Sequence, residues 1–571
     1  MQDVYWIVVW KEFKKSRVGV AALGLLGLLS LLGIYAPLFA SSKPLMVFWD
    51  GHLYFPLLRY LFYNGFYTKP IDLFFNLLMF TIPAACICSL FASLKMKKVW
   101  LAAVASLQIG LFMWAVSGAI KDPSHDPVLE KARKELSQKQ LGLHEDPLLS
   151  PLATQTSWDF DRRYHTPYGQ LNLLLEYHDM KAQHKRLKPY LVHFAENASR
   201  EMPTLWYVRQ RNAESQKARL QEVIQLSEKA YREAEQIVPN LTQAYLPFSH
   251  SFIMAKYALE HASLPEQDVA EKGLKQILKA AAQARVPLEN ARQIMIDYQK
   301  AIAEAAYLDD KEAWLKRESK KLRILVPPLV RSFHWEEDAG GAQLANQYLP
   351  WWELTRVNRK DLIASLTFGI RVSLVVGLSA VALALFIGIP LGMLAGYFGG
   401  KADLVLSRVI EMWEAMPTFF MLLLVIAITQ SKSIFLVITV LGIFGWTGIA
   451  RFIRSEVLKQ RQLAYVAACK SMGFTHPRIM FSHILPNAIP PILTLLPFSI
   501  MGAITSEAGL SFLGLGEEGS TSWGVLMDEG RSVFPAESYL LWPPAILLTL
   551  LLVSIALVGD RLRDALDPKM R

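Results

Sequence analysis

Apolar runs long enough to cross a bilayer recur along this chain in two groups, separated by a long polar stretch. Windows near residues 18–40, 74–94 and 99–120 form the first group, and windows near 370–397, 409–430, 433–452, 487–512 and 541–559 form the second. Each matches the roughly 20 apolar residues that a helix needs to span a hydrocarbon core of about 30 Å. A helix satisfies its own backbone polar groups there, so the pattern predicts an all-α polytopic membrane protein with eight spans. In the polar stretch, 121–345, the pattern changes. Leu220, Val223, Ile224, Ser227, Ala230, Tyr231, Ala234, Ile237 and Val238 recur at helical spacing. Leu274, Ile277, Leu278 and Ala281 do the same, as do Ala291, Ile294, Tyr298, Ile302 and Ala305. With Pro239 and Pro287 as punctuation, these stripes predict a mainly helical insertion of antiparallel helices with little strand.

Charges between the runs give them a direction. Lys11, Lys14, Lys15 and Arg17 precede the first run, and Lys95, Lys97 and Lys98 separate the second from the third. Arg451, Arg454, Lys459, Arg461, Lys470 and Arg478 separate the sixth from the seventh; Arg561, Arg563, Lys569 and Arg571 follow the last. The segment after the seventh run instead holds Glu517, Glu518, Asp528, Glu529 and Glu537 against Arg531. By the positive-inside rule both termini are expected in the cytoplasm and the insertion outside. Ala36-Pro-Leu-Phe-Ala40 loosely imitates a signal-peptide cleavage site, but the first run is longer than a signal core and reads as an uncleaved span. The expected organisation is a tail and first span over 1–41, an extracytoplasmic segment over 42–73 and an extra hairpin over 74–120. The insertion over 121–345 and a core domain over 346–571 follow, with a cytoplasmic loop at 454–486.

Composition agrees with this class: 52% of the 571 residues are hydrophobic and 19% charged. The net charge of +10 follows from basic residues beside apolar runs, so orientation in a lipid membrane accounts for it without nucleic acid. The three cysteines, Cys86, Cys88 and Cys469, are too few for a disulfide framework or a zinc site and are expected as buried small hydrophobes. No metal site is expected. His334-Trp-Glu-Glu-Asp338 reads as a solvated acidic loop, and neither a His-Glu-x-x-His nor a Gly-x-Ser-x-Gly motif supports a peptidase in the insertion. Gly399-Gly-Lys-Ala402 lacks the spacing and hydroxyl of a phosphate loop, so the chain is not expected to hydrolyse ATP itself.

Within the spans, Gly388, Gly392 and Gly396 recur at four-residue spacing around Pro390. Such a ridge lets a neighbouring helix close in, and the proline favours a bend, so packing and a hinge are both open. Gly442, Gly445 and Gly448 repeat the theme, while Glu411 and Glu414 open the fifth run. Glu507, in Thr505-Ser-Glu-Ala-Gly509, is an ionisable group in an apolar segment, expected to face a solute path or the solvated outer interface.

The polar segment between the sixth and seventh runs carries Tyr465-Val-Ala-Ala-Cys-Lys-Ser-Met-Gly473, continuing to His483-Ile-Leu-Pro486. Tyr465 to Met472 reads as a short helix ended by Gly473, and His476-Pro477 turns the chain toward a second. Small residues at Ala467, Ala468 and Cys469 leave room for another protein surface; an inert loop is the alternative.

This segment resembles the EAA loop of permease subunits from bacterial ABC importers, through Ala467-Ala468-Cys469, Gly473 and Ile484-Leu485-Pro486. It departs at Ala467, where that family usually has Glu, and at Cys469, where it has Ala. The resemblance covers about 350–571 and points to the C-type subunit of dipeptide and oligopeptide permeases. It is carried further by Arg359-Lys-Asp361, Gly369-Ile-Arg-Val-Ser-Leu374, Pro390 to Gly400, Ser511-Phe-Leu-Gly-Leu-Gly516, Ser522-Trp-Gly524 and Gly559 to Pro568. Lys43-Pro-Leu-Met-Val47 with Leu53-Tyr-Phe-Pro56 is similar to the Yej-type branch. Leu354-Thr-Arg-Val-Asn358 stands where the family has a Gly-Thr-Asp run, and the hairpin and insertion depart from its usual six spans.

The resemblance implies a type I importer permease fold and half of a translocation path for peptides, with nickel or another small solute as the alternative cargo. A membrane-anchored docking protein whose insertion binds envelope partners is a further alternative. Implied partners are a homologous B-type permease, two ATPase subunits that use ATP and Mg, and an extracytoplasmic solute-binding protein; no cofactor is expected on this chain. Tyr465, Ala467, Ala468, Cys469, Lys470, Gly473, Ile484, Leu485 and Pro486 are the implied ATPase-coupling residues.

Overall fold

The computed structural model describes residues 2–66, 69–91, 94–121, 166–198, 204–261, 267–329, 348–353, 361–535 and 537–566. They form two compact units: one of 1–45, 57–120 and 327–571, the other of 46–56 and 121–326. Leu354 to Asn358 and the His334–Asp338 cluster lie outside the described residues.

The first unit opens with α1 (Gln2–Lys15) and α2 (Arg17–Ile34). Between them Ser16 caps α2, its hydroxyl accepting from the Gly19 amide at 3.1 Å. The second unit then takes β1 (Met46–Trp49) and β2 (His52–Tyr54). Asp50 and Gly51, both at positive φ, supply the two-residue turn that matches strand twist. The expected 42–73 segment is therefore divided, because residues 46–56 pair as strands with a partner from the far end of the insertion.

Back in the first unit, α3 (Pro70–Phe91) and α4 (Leu94–Val116) form the extra hairpin. A hydrogen bond from Thr81 to Gln108 at 2.8 Å and an edge-on Phe74–Phe112 contact join them. Cys86 is exposed and Cys88 half-buried, contrary to expectation. They lie late in α3, on turns with little protein around them, where a weakly polar thiol tolerates lipid.

The second unit continues as α5 (Pro167–Ala198), α6 (Leu205–His261) and α7 (Gln267–Glu318), closing with β3 (Arg323–Val326). The strands form an antiparallel sheet in the order β2-β1-β3, and Val47, Trp49, Leu171, Leu174 and Leu315 pack beside it. At about 1.5 Å per residue, the 57-residue α6 runs for roughly 85 Å, with α7 alongside. Tyr231 stacks on Tyr298 at 4.4 Å, and Tyr245 and Leu288 are buried between the two helices. Val223, Ile237, Ile294 and Ile302 of the expected stripes are exposed, because a two-helix contact covers only a narrow seam.

The remaining helices belong to the first unit: α8 (Leu362–Phe398), α9 (Gly400–Glu414), α10 (Thr418–Thr429) and α11 (Ile434–Gln460). After them come α12 (Ala464–Ser471), α13 (Leu485–Leu493), α14 (Leu496–Leu510), α15 (Trp523–Val533) and α16 (Trp542–Leu566). Among the described residues, seven helices are long and apolar enough to cross a membrane: α2, α3, α4, α8, α11, α14 and α16, the last two with short extensions.

The expected fifth span is not one straight helix. It breaks between α9 and α10 with a 71° bend at Ala415–Pro417, so Glu411 and Glu414 end a helix instead of opening one. Proline at 417 disfavours helical geometry in the residue before it. Chain direction nevertheless requires a crossing here. Gly388 faces Trp446 and Ile449, Gly392 faces Ala450 and Ile453, and Gly396 faces Arg454 and Val457. Both partners advance together, so α8 and α11 run parallel, and the bent pair must carry the chain back between them. With the bent pair counted as one span, the described residues hold up to eight.

A Cβ added at Gly392 would stand 2.5 Å from the Ala450 carbonyl, and α8 continues unbroken through Pro390. The glycine ridge is thus a contact surface that knits α8 to α11.

Candidate coupling site and translocation path

After α11 the chain turns tightly into α12. Gly473, at φ +75°, ends this helix: the Phe474 amide donates to Cys469 O at 3.2 Å and the Gly473 amide to Lys470 O at 3.0 Å. This is the paired-bond C-cap that a residue without Cβ permits. Residues 476–493 then run without interruption through a π turn at Ile479–Ile484 into α13.

The amphipathic pattern gives α12 two faces. Val466 and Cys469 point inward and join Ile479, Met480, Ile484 and Ala488 against Met393, Tyr397, Ile453 and Val457. Fully burying such side chains stabilises by about 1.5–3 kcal/mol each. Ala464, Ala467, Ala468, Lys470, Ser471 and Met472 are exposed. Leu463 and Met472 therefore flank a flat patch of alanines. Of the implied coupling residues, Cys469 and Ile484 are core and Tyr465, Leu485 and Pro486 are half-buried, so they position the patch instead of forming it. An i,i+3 pair on one helix face goes inward together, so Cys469 is the buried small hydrophobe expected and lies on the face away from the patch.

Polar contacts tie this seat to the ends of α8 and α11. Tyr397 and His476 are hydrogen-bonded at 2.9 Å, and the Lys470 ammonium sits 5.4 Å from the Tyr397 ring centre. Arg461 donates to the Gly396 and Tyr397 carbonyls at 3.3 and 3.1 Å, and Arg454 pairs with Asp403 through both carboxylate oxygens. Tyr465 donates to Gln460 Oε1 at 2.9 Å, and burial raises its pKa above the usual phenol range.

At the opposite end of α8, Trp523 donates to Leu366 O at 3.0 Å. Leu366 and Tyr397 are 31 residues apart on one helix, or about 46 Å, which places the two ends on opposite sides of a bilayer. Here α14 extends through a π turn at Ser511–Leu515 to Gly514, at φ +79°. Glu507 is buried and accepts from Ser511 Oγ at 2.7 Å and Ser522 Oγ at 2.6 Å. It holds the turn to the start of α15 and does not face an open path.

Gly502, Thr505, Ser506 and Gly509 are exposed at helical spacing. A groove of about 260 Å³ runs between that face and Phe419, Leu422 and Leu441. Lipid-facing surface elsewhere looks different, since α4 exposes Leu101, Leu107, Ile109 and Met113.

Arg371, missed as a functional residue from sequence, is wholly buried in α8. Nε donates to Gly33 O at 2.7 Å; NH1 donates to Asp72 O and Oδ1 at 3.3 and 2.8 Å; NH2 donates to Ile34 O and Asn76 Oδ1 at 3.1 and 2.9 Å. A cation within an apolar span was the available signal that partners must converge there.

Residues 388–571 match the family described as binding-protein-dependent transport system inner membrane component. Residues 5–56 match the N-terminal TM domain of oligopeptide transport permease C. The oligopeptide transport system permease protein OppC of Haemophilus influenzae is 34% identical over 251 residues, which is 43% of this chain and 80% of that protein. The chain belongs to the C-type permeases of the oligopeptide and dipeptide transport systems. It is a transmembrane permease subunit of an ABC importer. This permease is also similar to the peptidoglycan transport system permease protein YejE of Agrobacterium fabrum, 35% identical over 38% of the chain and 57% of that protein. The glutathione transport system permease protein GsiD of Pectobacterium atrosepticum is 35% identical over 37% of the chain and 70% of that protein.

Proposed function

We propose that this permease carries short peptides inward across a bacterial inner membrane as one half of a path completed by a homologous B-type permease. Two ATPase subunits burn ATP with Mg, and an extracytoplasmic solute-binding protein delivers the cargo. The observation that carries the reading is the rigid pair α8–α11, which ends in the exposed Ala467–Ala468 patch and leads through packed helices to the groove at Thr505 and Ser506. Closure of the ATPases moves the patch, and the pair transmits that movement across the membrane. The ATPases supply the hydrolysis; this chain supplies the lever and the wall.

Sidedness follows from charge. Arg454, Lys459, Arg461, Lys470 and Arg478 gather at the α12 end of α8 and Glu517, Glu518 and Asp528 at the other. The α12 end is accordingly cytoplasmic, as are both termini. Residues 121–345 then lie outside, where the long helix pair suits docking of the solute-binding protein.

The test is ATP hydrolysis by the assembled transporter in proteoliposomes. Binding protein loaded with di- to oligopeptides stimulates it and drives peptide accumulation. A complex that assembles yet accumulates no peptide, or that responds to nickel instead, contradicts the peptide reading.

A further inference from the structure

The extra hairpin begins with two polar side chains three residues apart that make very different contacts. Asp72 belongs to the Arg371 knot, in which the five N–H groups of the guanidinium all have acceptors. The pair is buried, with 0% and 7% side-chain exposure, and Asn76 adds a bond to Leu61 O at 2.8 Å. Breaking such a pair strands a charge in a low-dielectric interior, so the knot is costly to open. It fixes α3 to α8 and to the last carbonyls of α2.

Lys69 reaches the other way. Its ammonium donates to Glu518 O at 2.9 Å and lies 3.7 Å from Glu517 Oε1. Lys432, just before α11, approaches the same corner, donating to Gly514 O at 3.2 Å and lying 3.5 Å from Glu518 Oε1. The Lys432–Glu518 pair is solvated, at 40% and 87% side-chain exposure, and contributes little. Lys69–Glu517 is more sheltered, at 21% on each side, but water reaches it as it does not reach the Arg371 pair, so it is the easier of those two to break. The corner they hold is the continuation of α14 beyond Gly514. Glu507, through Ser511 and Ser522, makes that corner one body with the start of α15. Five to nine residues back from Gly514 along α14 lie Gly509, Ser506 and Thr505, which line the groove.

We propose that the extra hairpin carries the latch of the outer gate. Lys69, on a helix start that Arg371 holds immobile, grips the Gly514–Glu518 corner in the closed state and releases it when the outer end opens. Lys432 is the second, weaker catch. The inference rests on the sidedness and transport role proposed above, and it gives the hairpin a positioning role in the transport cycle.

Reducible crosslinking tests it in the assembled transporter, in a background carrying Cys86→Ser and Cys88→Ser. Lys69→Cys/Glu517→Cys, joined by a short bis-methanethiosulfonate reagent, is expected to lose at least tenfold in peptide uptake and to recover it on reduction. Each variant carrying only one of the two introduced cysteines, treated alike, keeps its uptake. Lys432→Cys/Glu518→Cys provides an independent second pair with the same expectation. Full uptake in the crosslinked form overturns the latch, as does failure of either pair to crosslink. A pair inactive even when reduced also counts against it, because a releasable contact is dispensable in the open state. Peptide uptake by the reduced pairs reports separately on the transport reading.

Discussion

At one end of α8, Val466, Cys469, Ile479 and Ile484 seat the 464–484 segment mainly by apolar contact, with the Tyr397–His476 bond at its edge. At the other, Glu507, Ser511, Ser522, Lys69 and Lys432 seat the 511–522 segment by charge and hydroxyl bonds. Close packing transmits displacement because it leaves no space to absorb it. The buried Glu507 bonds keep the corner itself intact, whereas the partly solvated Lys69 and Lys432 ties hold its position only until something competes for them. The difference suits a lever at the coupling end and a releasable closure at the gate end.

The strongest test of this contrast is Gly473→Pro at the coupling end. It removes the amide that bonds Lys470 O and forbids φ +75°, so α12 loses its cap and its seat. Peptide uptake is expected to fall at least ~10-fold with membrane insertion intact, because the change costs about 3 kcal/mol or more locally. Normal uptake with the protein present contradicts the lever. At the gate end, Glu507→Ala leaves the Ser511 and Ser522 hydroxyls without their buried acceptor. Thermal unfolding in detergent should show a loss of about 3 kcal/mol, with Glu507→Gln losing much less. Equal losses in both variants would place the role of Glu507 in volume instead of hydrogen bonding.

Val466→Ala follows in size. Removing two methyl groups from a fully buried site should destabilise by about 2 kcal/mol and lower the ATP-to-peptide coupling ratio, since slack enters the seat. A change in stability without any change in coupling would detach packing from transmission. Smallest is Ala467→Glu, which adds a carboxylate at an exposed position. Stability should stay within about 0.5 kcal/mol, and uptake should be retained; a tenfold loss would mean that the patch docks face-down against an acidic surface.

Sequence pattern exposed the spans, the Gly473 cap and the glycine ridge because each depends on local chemistry or a single period. The parallel course of α8 and α11 was hidden, since periodicity carries no information about which helix meets which. The Ala415–Pro417 bend was concealed because 409–430 is apolar enough overall to read as one span, although Glu411, Glu414 and Pro417 stood in view. Glu507 was legible as an anomaly but not as a clasp, because its serine partners lie 4 and 15 residues on. Asp50-Gly51 marked a hairpin turn that a helical reading of the chain passed over. The Arg371 knot joins residues 299 and 338 positions apart, a convergence that only tertiary packing creates.

Placement of the Ala467–Ala468 patch against the ATPases is the claim on which lever, sidedness and gate all depend. A single cysteine at Ala468, in a background carrying Cys86→Ser, Cys88→Ser and Cys469→Ala, decides it when bis-thiol crosslinking and labelling by membrane-impermeant reagents are measured together. The account predicts a crosslink to an ATPase subunit in the assembled transporter and labelling only when the cytoplasmic face is opened. Labelling of Ala468→Cys from outside intact cells, or no crosslink in a complex that contains both ATPases, would contradict it.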